Sequence, residues 1–302
     1  MGAAAIAQAL GGPSHQTGEW NRCPCPVCGS RSDCLAIKDG DHGPIFKCWR
    51  GCTHADVRAE VQARGLSLEL SSAPREYDLE AEQQRRQEGE DRRIRRAIEM
   101  WQSSQPAENI VFDTYLRSRA IVLPAFPLSL RFIPGGHYFA WHSGSRSNAY
   151  PVMLGAVVDR DCQVIGMHRT WLQPDGSGKA RIDPNRMTLG RMAGGAVRLG
   201  MIDPSPDQTL IVAEGIESAL SASLLMGNPA WAALSAGGIE QLLLPDEIRT
   251  IQIAVDRDAN GCGEVAARAA ALRWLSEGRR VQLVIPDRLG ADANDLLREA
   301  SM

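Results

Sequence analysis

The stretch Thr209-Leu-Ile-Val-Ala213-Glu214-Gly215, answered by Thr250-Ile-Gln-Ile-Ala254-Val255-Asp256-Arg257-Asp258-Ala259-Asn260-Gly261, decides the reading of this 302-residue chain. Each begins as a short apolar run, the signature of a buried strand, and ends in acid and glycine. A helix is expected over Ile216–Met226 after the first run, and an Ala-rich helix over 264–277 after the second. Two further strands are expected, at 230–234 before Gly237-Gly238 and at 280–285 before Pro286. Strands alternating with helices imply a parallel sheet, whose functional groups collect beyond the C-terminal strand ends. Glu214, Asp256 and Asp258 fall there, and Asp292 follows the last strand in Gly290-Ala-Asp292-Ala-Asn294-Asp295. Carboxylates gathered at one edge repel each other unless a cation neutralises them. Hard oxygen ligands suit Mg²⁺ or Mn²⁺, which keep waters, bind substrate phosphates and promote in-line phosphoryl transfer. Acids that merely cap the following helices would explain one acid per loop. They explain poorly Asp-x-Asp with a glycine three residues on.

Six of the eight cysteines lie between Cys23 and Cys52. The chain is long and shows no secretory signal, so clustered thiols point to metal rather than to a disulfide framework. Cys25-Pro-Val-Cys28 and Cys48-Trp-Arg-Gly-Cys52 are separated by 19 residues, a double-knuckle zinc spacing with one extra residue in the second pair. Four thiolates close a tetrahedron and leave no open position, so the zinc is expected to be structural. Cys23, Cys34 and His54 compete for places in that set, and buried reduced thiols are the plainer alternative. Between the pairs, 35–38 and 44–47 read as a hairpin, and 55–64 as a helix ending at Gly65. Trp20 and Trp49 border the site. Base stacking is open to them, but packing over a small zinc core is the reading preferred here.

Composition bounds the rest. Lys and Arg number 33 against 36 Asp and Glu, a net charge of −3, and 44% apolar residues are enough to build a core, which excludes global disorder. No apolar run reaches the roughly 18 residues of a membrane helix. The N-terminus lacks a basic signal region, and Ile6 excludes a myristoylation motif. A soluble, cytoplasmic protein is expected, with no membrane partner. Positions 75–99 hold seven Arg and eight acids and read as a solvated, ion-paired linker helix. Ile94, Ala97, Ile98 and Trp101 have the helical spacing to dock it onto the next domain. The region 106–200 reads as α+β, with a helix at 112–117, a strand from Arg131, and a hairpin of 152–158 with 164–172. From Arg160 to Arg198 seven basic residues stand against three acids, a local balance of +4. Arg169, Lys179, Arg181, Arg186 and Arg191, interspersed with glycines, are candidates for phosphate contact. An ordinary basic loop is the alternative. Gly178-Lys179 fails as a Walker A end, because Ala180 and Gln173 stand where Ser/Thr and Gly belong.

Glu214-Gly215 followed by Asp256-x-Asp258-x-x-Gly261 resembles a Toprim domain, the module shared by bacterial primases, topoisomerases and some nucleases. The cysteine module resembles that of bacterial and phage primases. With Thr114-Tyr-Leu-Arg-Ser-Arg and His168-Arg-Thr-Trp-Leu, nearly the whole chain is similar to zinc-ribbon/Toprim primases of phages and mobile elements. The resemblance implies an α/β and α+β multidomain protein. Its parts would be a zinc ribbon (1–66), a charged helical linker (67–105), a basic α+β middle domain (106–205) and a Rossmann-like Toprim domain (206–302). It implies Glu214 as general base or metal ligand and Asp256 and Asp258 as holders of Mg²⁺ or Mn²⁺. The implied partners are a single-stranded DNA template, nucleoside triphosphates and a separate replicative helicase within a primosome. Two departures stand out. Bacterial primases carry an acid four residues after the Glu, where this chain has Ser218 preceded by Glu217. Many relatives have His at the place of Cys28. A Toprim nuclease and a non-catalytic replication adaptor are the competing functions. A topoisomerase would need a tyrosine nucleophile in a large separate domain, for which no span is left.

Overall fold

The computed structural model describes residues 1–12, 15–29, 33–40, 43–68, 79–139, 146–202, 208–259 and 261–301. The hairpin turn at 41–42, the start of the charged segment at 75–78 and Asn260 lie outside them. The chain divides into two compact units, Met1–Leu79 with Phe139–Ser147, and Glu80–Tyr138 with Asn148–Met302.

In the first unit, α1 (Ala3–Ala9) precedes the antiparallel sheet β1 (His15–Thr17), β2 (Trp20–Cys23), β3 (Leu35–Gly40) and β4 (Gly43–Cys48), ordered as in the chain, with α2 (His54–Ala63) after it. The expected hairpin is β3–β4, paired from Leu35 with Cys48 to Gly40 with Gly43. Thr53 caps α2 by accepting from the Asp56 N–H, satisfying an orphan donor of the first turn. Ile6, Leu35, Ile37, Phe46, Val57 and Val61 form the core, joined by the buried Cys23, Cys25 and Cys34.

The second unit begins on α3 (Leu79–Ser103). Its N-terminal half is laced by Glu82 with Arg85 and Arg86. Its C-terminal half is docked: Ala97 is fully buried, and the Arg131 guanidinium lies 5.3 Å over the Trp101 ring. The C-terminal half of the helix thus packs within this unit, as the helical spacing of Ile94, Ala97, Ile98 and Trp101 leads one to expect, while the N-terminal half keeps the ion-paired character of a linker. Next come β5 (Gln105–Pro106), α4 (Ile110–Ser118), β6 (Leu130–Phe139), β7 (Arg146–Val158), β8 (Val164–Trp171) and β9 (Arg186–Gly190). β5 to β9 make one five-stranded sheet in chain order. The second sheet follows from β10 (Val197–Arg198), β11 (Thr209–Ala213), α5 (Ile216–Met226), β12 (Ala230–Ala232), α6 (Ala236–Gln241), β13 (Thr250–Ala254), α7 (Cys262–Ser276), β14 (Arg280–Val284) and α8 (Ala293–Ala300). Its order is β10-β12-β11-β13-β14, with β11 to β14 parallel as expected.

One feature differs. β10, from the basic segment, joins this sheet as an antiparallel edge on β12. The two sheets also share a core: Phe112, Leu130, Met153 and Val157 pack in one cluster with Ile211, Ile216 and Leu220. Burial at about 25 cal/mol per Å² makes such a continuous apolar seam hard to part. The basic sheet is thus fixed against the parallel one. Among the described residues no helix is long and apolar enough to cross a membrane.

Candidate functional site

The cysteine quartet forms where two turns meet. Cys25 and Cys28 follow β2, Cys48 ends β4, and Cys52 precedes α2. The Sγ atoms of Cys25, Cys28, Cys48 and Cys52 all lie within 4.8 Å of one another, so small shifts close them on a zinc ion at about 2.3 Å. Burial opposes a thiolate at Cys48, but the N–H groups of Arg50 and Cys52 outweigh it and hold its pKa below the ordinary value. Burial pushes Cys25 up to about 12 without metal. One low thiol among raised ones is the electrostatics of crowded sulfurs awaiting a cation. The four sulfurs fit a structural zinc. The competitors stand aside. Cys23 is fully buried in the apolar core. Cys34 Sγ lies 3.8 Å from Cys28 Sγ but outside the quartet. The His54 ring packs against Phe46 at 5.6 Å. The packing expected of Trp49 over the zinc core is not found. Trp49 is 59% exposed, with Lys47 Nζ 4.1 Å and Arg22 Cζ 5.2 Å from its ring. Tryptophan faces attract cations, and one bordering lysine and one arginine hold this ring at the surface.

The acidic site is built by register. Ala213 pairs with Ala254, and Ala254 with Val284, so β11, β13 and β14 end level. Glu214 and Asp256 therefore leave the sheet at one edge. Glu214 is pinned by the Leu234 N–H, which donates to its carbonyl at 2.7 Å. Gly261 has φ +69°, the left-handed turn that starts α7, and this explains the glycine of the Asp-x-Asp motif. Arg257, between the two aspartates, faces away: its N–H donates to the Ala291 carbonyl and its guanidinium to that of Pro286. These bonds tie the Asp-x-Asp loop to the loop carrying Asp292.

Charge is frustrated here. Burial, then Asp292, Glu214 and Asp258, push Asp256 up to about 7, with Arg186 opposing. Burial and Asp258 likewise raise Glu214, again against Arg186. Asp256 Oδ1 is buried without a hydrogen-bond partner, the kind of orphaned oxygen a divalent cation satisfies. Asp292 is more occupied. It caps α8 in a capping box with Asp295, accepting from the Asp295 N–H at 2.9 Å and from Ser218 Oγ at 3.1 Å. The capping alternative weighed from sequence thus holds for Asp292 alone, and a carboxylate retains further lone pairs for a cation. Among the described residues, only the cysteines reach ligand spacing as a group; the carboxylates form a wider one.

The basic candidates divide. Arg186, at the start of β9, is exposed, makes no ion pair among the described residues, and its charge acts on Glu214 and Asp256. Lys179 Nζ lies 2.9 Å from Glu217 Oε1. Arg169 donates to the Thr188 carbonyl and lies over the Trp171 ring. Arg181 is exposed, near Asp175. Arg191 follows the opposite end of β9 from Arg186 and pairs with Glu90 and Asp159. Three residues of this neighbourhood were not assigned from sequence. Tyr115 donates to the buried Glu217, and His168 is buried beside them with Thr170 Oγ1 3.5 Å from its Nδ1.

This arrangement, a parallel sheet whose strand ends carry Glu and Asp-x-Asp, defines the class. Residues 209–302 match the family model of the Toprim domain, and residues 91–199 match that of a domain of unknown function, DUF7146. The Toprim match thus covers the C-terminal part of the chain, the part that carries the parallel strands β11 to β14. Among solved structures, the chain is similar to the zinc-binding and RNA polymerase domains of Aquifex aeolicus primase, at 16% identity over 94% of this chain and 77% of that one, with a TM-score of 0.46. It is similar to the primase fragment of the bacteriophage T7 primase-helicase protein, at 14% identity, 92% and 94% coverage and a TM-score of 0.40. The DnaG primase catalytic domain bound to ssDNA gives 17% identity, 70% and 78% coverage and a TM-score of 0.46. No curated protein matches the chain.

Proposed function

We propose that this chain is a DNA primase that makes short RNA primers on single-stranded DNA, acting in the cytoplasm beside a separate replicative helicase. The reading rests above all on one observation. An orphaned, buried Asp256 oxygen stands among Glu214, Asp258 and Asp292 at the edge of a Toprim sheet, with Arg186 facing them. Glu214, Asp256 and Asp258 would hold Mg²⁺ or Mn²⁺, with Asp292 beside them. Such ions, when bound, lower the pKa of a primer 3′-hydroxyl and neutralise the triphosphate. Arg186 is suited to the phosphates of the incoming nucleotide, and Lys179 and Arg181 extend the same basic surface. Arg169 serves it by position along β8, while Arg191 is drawn into the ion pairs with Glu90 and Asp159. As the alternative to holding metal, Glu214 is suited to take up the proton as the 3′-hydroxyl oxygen bonds to the α-phosphorus, the α–β phosphoanhydride bond breaks and pyrophosphate leaves, since burial already raises its pKa. The exposed Trp49 with Lys47 and Arg22 offers stacking and charge to a template strand.

The test is primer synthesis on single-stranded DNA with mixed labelled nucleotides, resolved on one gel. Magnesium-dependent short RNA is expected, and none from Asp256→Ala/Asp258→Ala. Synthesis persisting in that double variant rejects the site. Cleavage without incorporation indicates the nuclease, and DNA binding without either activity the adaptor.

A further inference from the structure

We infer that Glu217 is a positioning residue, which holds the Lys179 ammonium so that its remaining N–H groups meet the triphosphate of the incoming nucleotide. The inference rests on the primase reading for its ligand, a nucleoside triphosphate. Its geometry comes from three elements. Glu217 lies in the first turn of α5, three residues after Glu214, and its side chain is only 6% exposed. Tyr115 reaches it from α4 and donates its hydroxyl proton. Lys179 reaches it from the loop between β8 and β9, with Nζ 2.9 Å away and the side chain 24% exposed.

That loop is fixed. Gln173 N–H donates to the Gly178 carbonyl at 2.8 Å, and Gly176 has φ +73°. A Cβ at Gly176 would stand 2.5 Å from the Val111 carbonyl and 2.9 Å from Thr114 Cβ, so only glycine lets the loop lie on α4. Lys179 and Tyr115 are thereby brought to Glu217 together. An ammonium has three donors, and one is directed to Glu217. The neighbouring charge locates the rest of the arrangement. Arg186 acts on Tyr115 and His168 on one side and on Glu214 and Asp256 on the other. The Lys179–Glu217 pair stands next to the acidic edge by geometry as well: Glu217 follows Glu214 at the start of α5, and its neighbour Ser218 donates from Oγ to Asp292 at 3.1 Å.

Burying a carboxylate is costly, and an apolar side chain would fill the same space in α5 with less penalty. A fixed cation beside a phosphate-binding edge is what the charged pair adds. Glu217 itself touches neither substrate nor metal in this scheme.

The experiment uses the full chain. A fluorescent ribonucleoside triphosphate is titrated with Mg²⁺, and KM and kcat are measured in primer synthesis for wild type, Glu217→Gln, Lys179→Met, Lys179→Arg and the Glu217→Gln/Lys179→Met pair. Glu217→Gln and Lys179→Met should each weaken nucleotide binding and raise KM about tenfold, the scale of one charge-assisted hydrogen bond, with the smaller effect on kcat. The pair should be no worse than Lys179→Met alone, and Lys179→Arg should recover part of the binding. Lower Tm with unchanged Kd and KM would overturn the inference and leave a structural staple. If Glu217→Gln does not fold, wild-type Kd and KM in Lys179→Met overturn it equally. Nucleotide binding that follows this pattern without primer synthesis leaves Glu217 in place and rejects the primase. A wild type that binds no nucleotide rejects both.

Discussion

Replacing Asp256 by asparagine probes the acidic edge without an assay of catalysis. In the fold, burial and then Asp292, Glu214 and Asp258 push this carboxyl from 3.8 to about 7. Between those values the folded protein binds more protons than the unfolded chain. Stability from this group is therefore fully present below about 3.8 and lost as pH rises through 7. A gap of about three pH units amounts to roughly 4 kcal/mol. For a unit of this size that is on the order of 10 °C in Tm. The measurement is thermal unfolding at pH 4 to 8 in magnesium-free buffer, followed by near-UV circular dichroism, to which the buried Trp231 and Trp274 contribute. Asp256→Asn should gain on wild type steadily as pH rises, by about that amount at pH 8. Magnesium should then raise the Tm of wild type at pH 8 and leave the variant nearly unmoved, since a cation that binds only the folded state stabilises only a chain that holds it. Equal pH slopes in the two proteins would refute the crowding of carboxylates, and equal magnesium shifts would refute Asp256 as a ligand.

The zinc quartet predicts one zinc per chain by elemental analysis of the purified protein. Cys48→Ser/Cys52→Ser should remove it and unfold the first unit, read as loss of protection in amide exchange over β2 to α2; full protection without metal refutes the site. His168 predicts the opposite pH trend to Asp256. Burial, outweighing the attraction of Glu217, lowers its pKa from 6.5 to about 4. The unfolded chain then binds the extra proton, so stability is lost as pH falls from 6.5 to 4, by roughly 3 kcal/mol. In His168→Gln that acid loss should shrink by about this amount in urea titrations; an unchanged loss shows that the ring is not buried in its neutral form.

These two windows overlap and have opposite sign, so wild type hides both, and each appears only as a difference from its own variant. The same distinction separates what was legible in the sequence from what was not. Glu214, Asp256 and Asp258 were legible because strand length and parallel register alone carry them to one edge: the apolar run must end where the sheet ends. The quartet was legible because two turns with short spacings fix their own sulfurs. Trp49 was misjudged because a tryptophan beside a small core is usually packed, and nothing local marks Lys47 and Arg22 as its cover at the surface. The edge strand β10 was missed because two residues give no period to detect. Glu217 was illegible for a stronger reason. In Ile216-Glu-Ser-Ala-Leu-Ser it looks like an acid placed for the helix dipole, and only the fold brings Tyr115, 102 residues earlier in the chain, and Lys179 against it. Local spacing can reveal groups that a single element aligns. A charge held between three elements is defined by the shared core that joins the basic sheet to the parallel one, and Arg186, on β9 of that basic sheet, acts on Asp256 at the end of the parallel one.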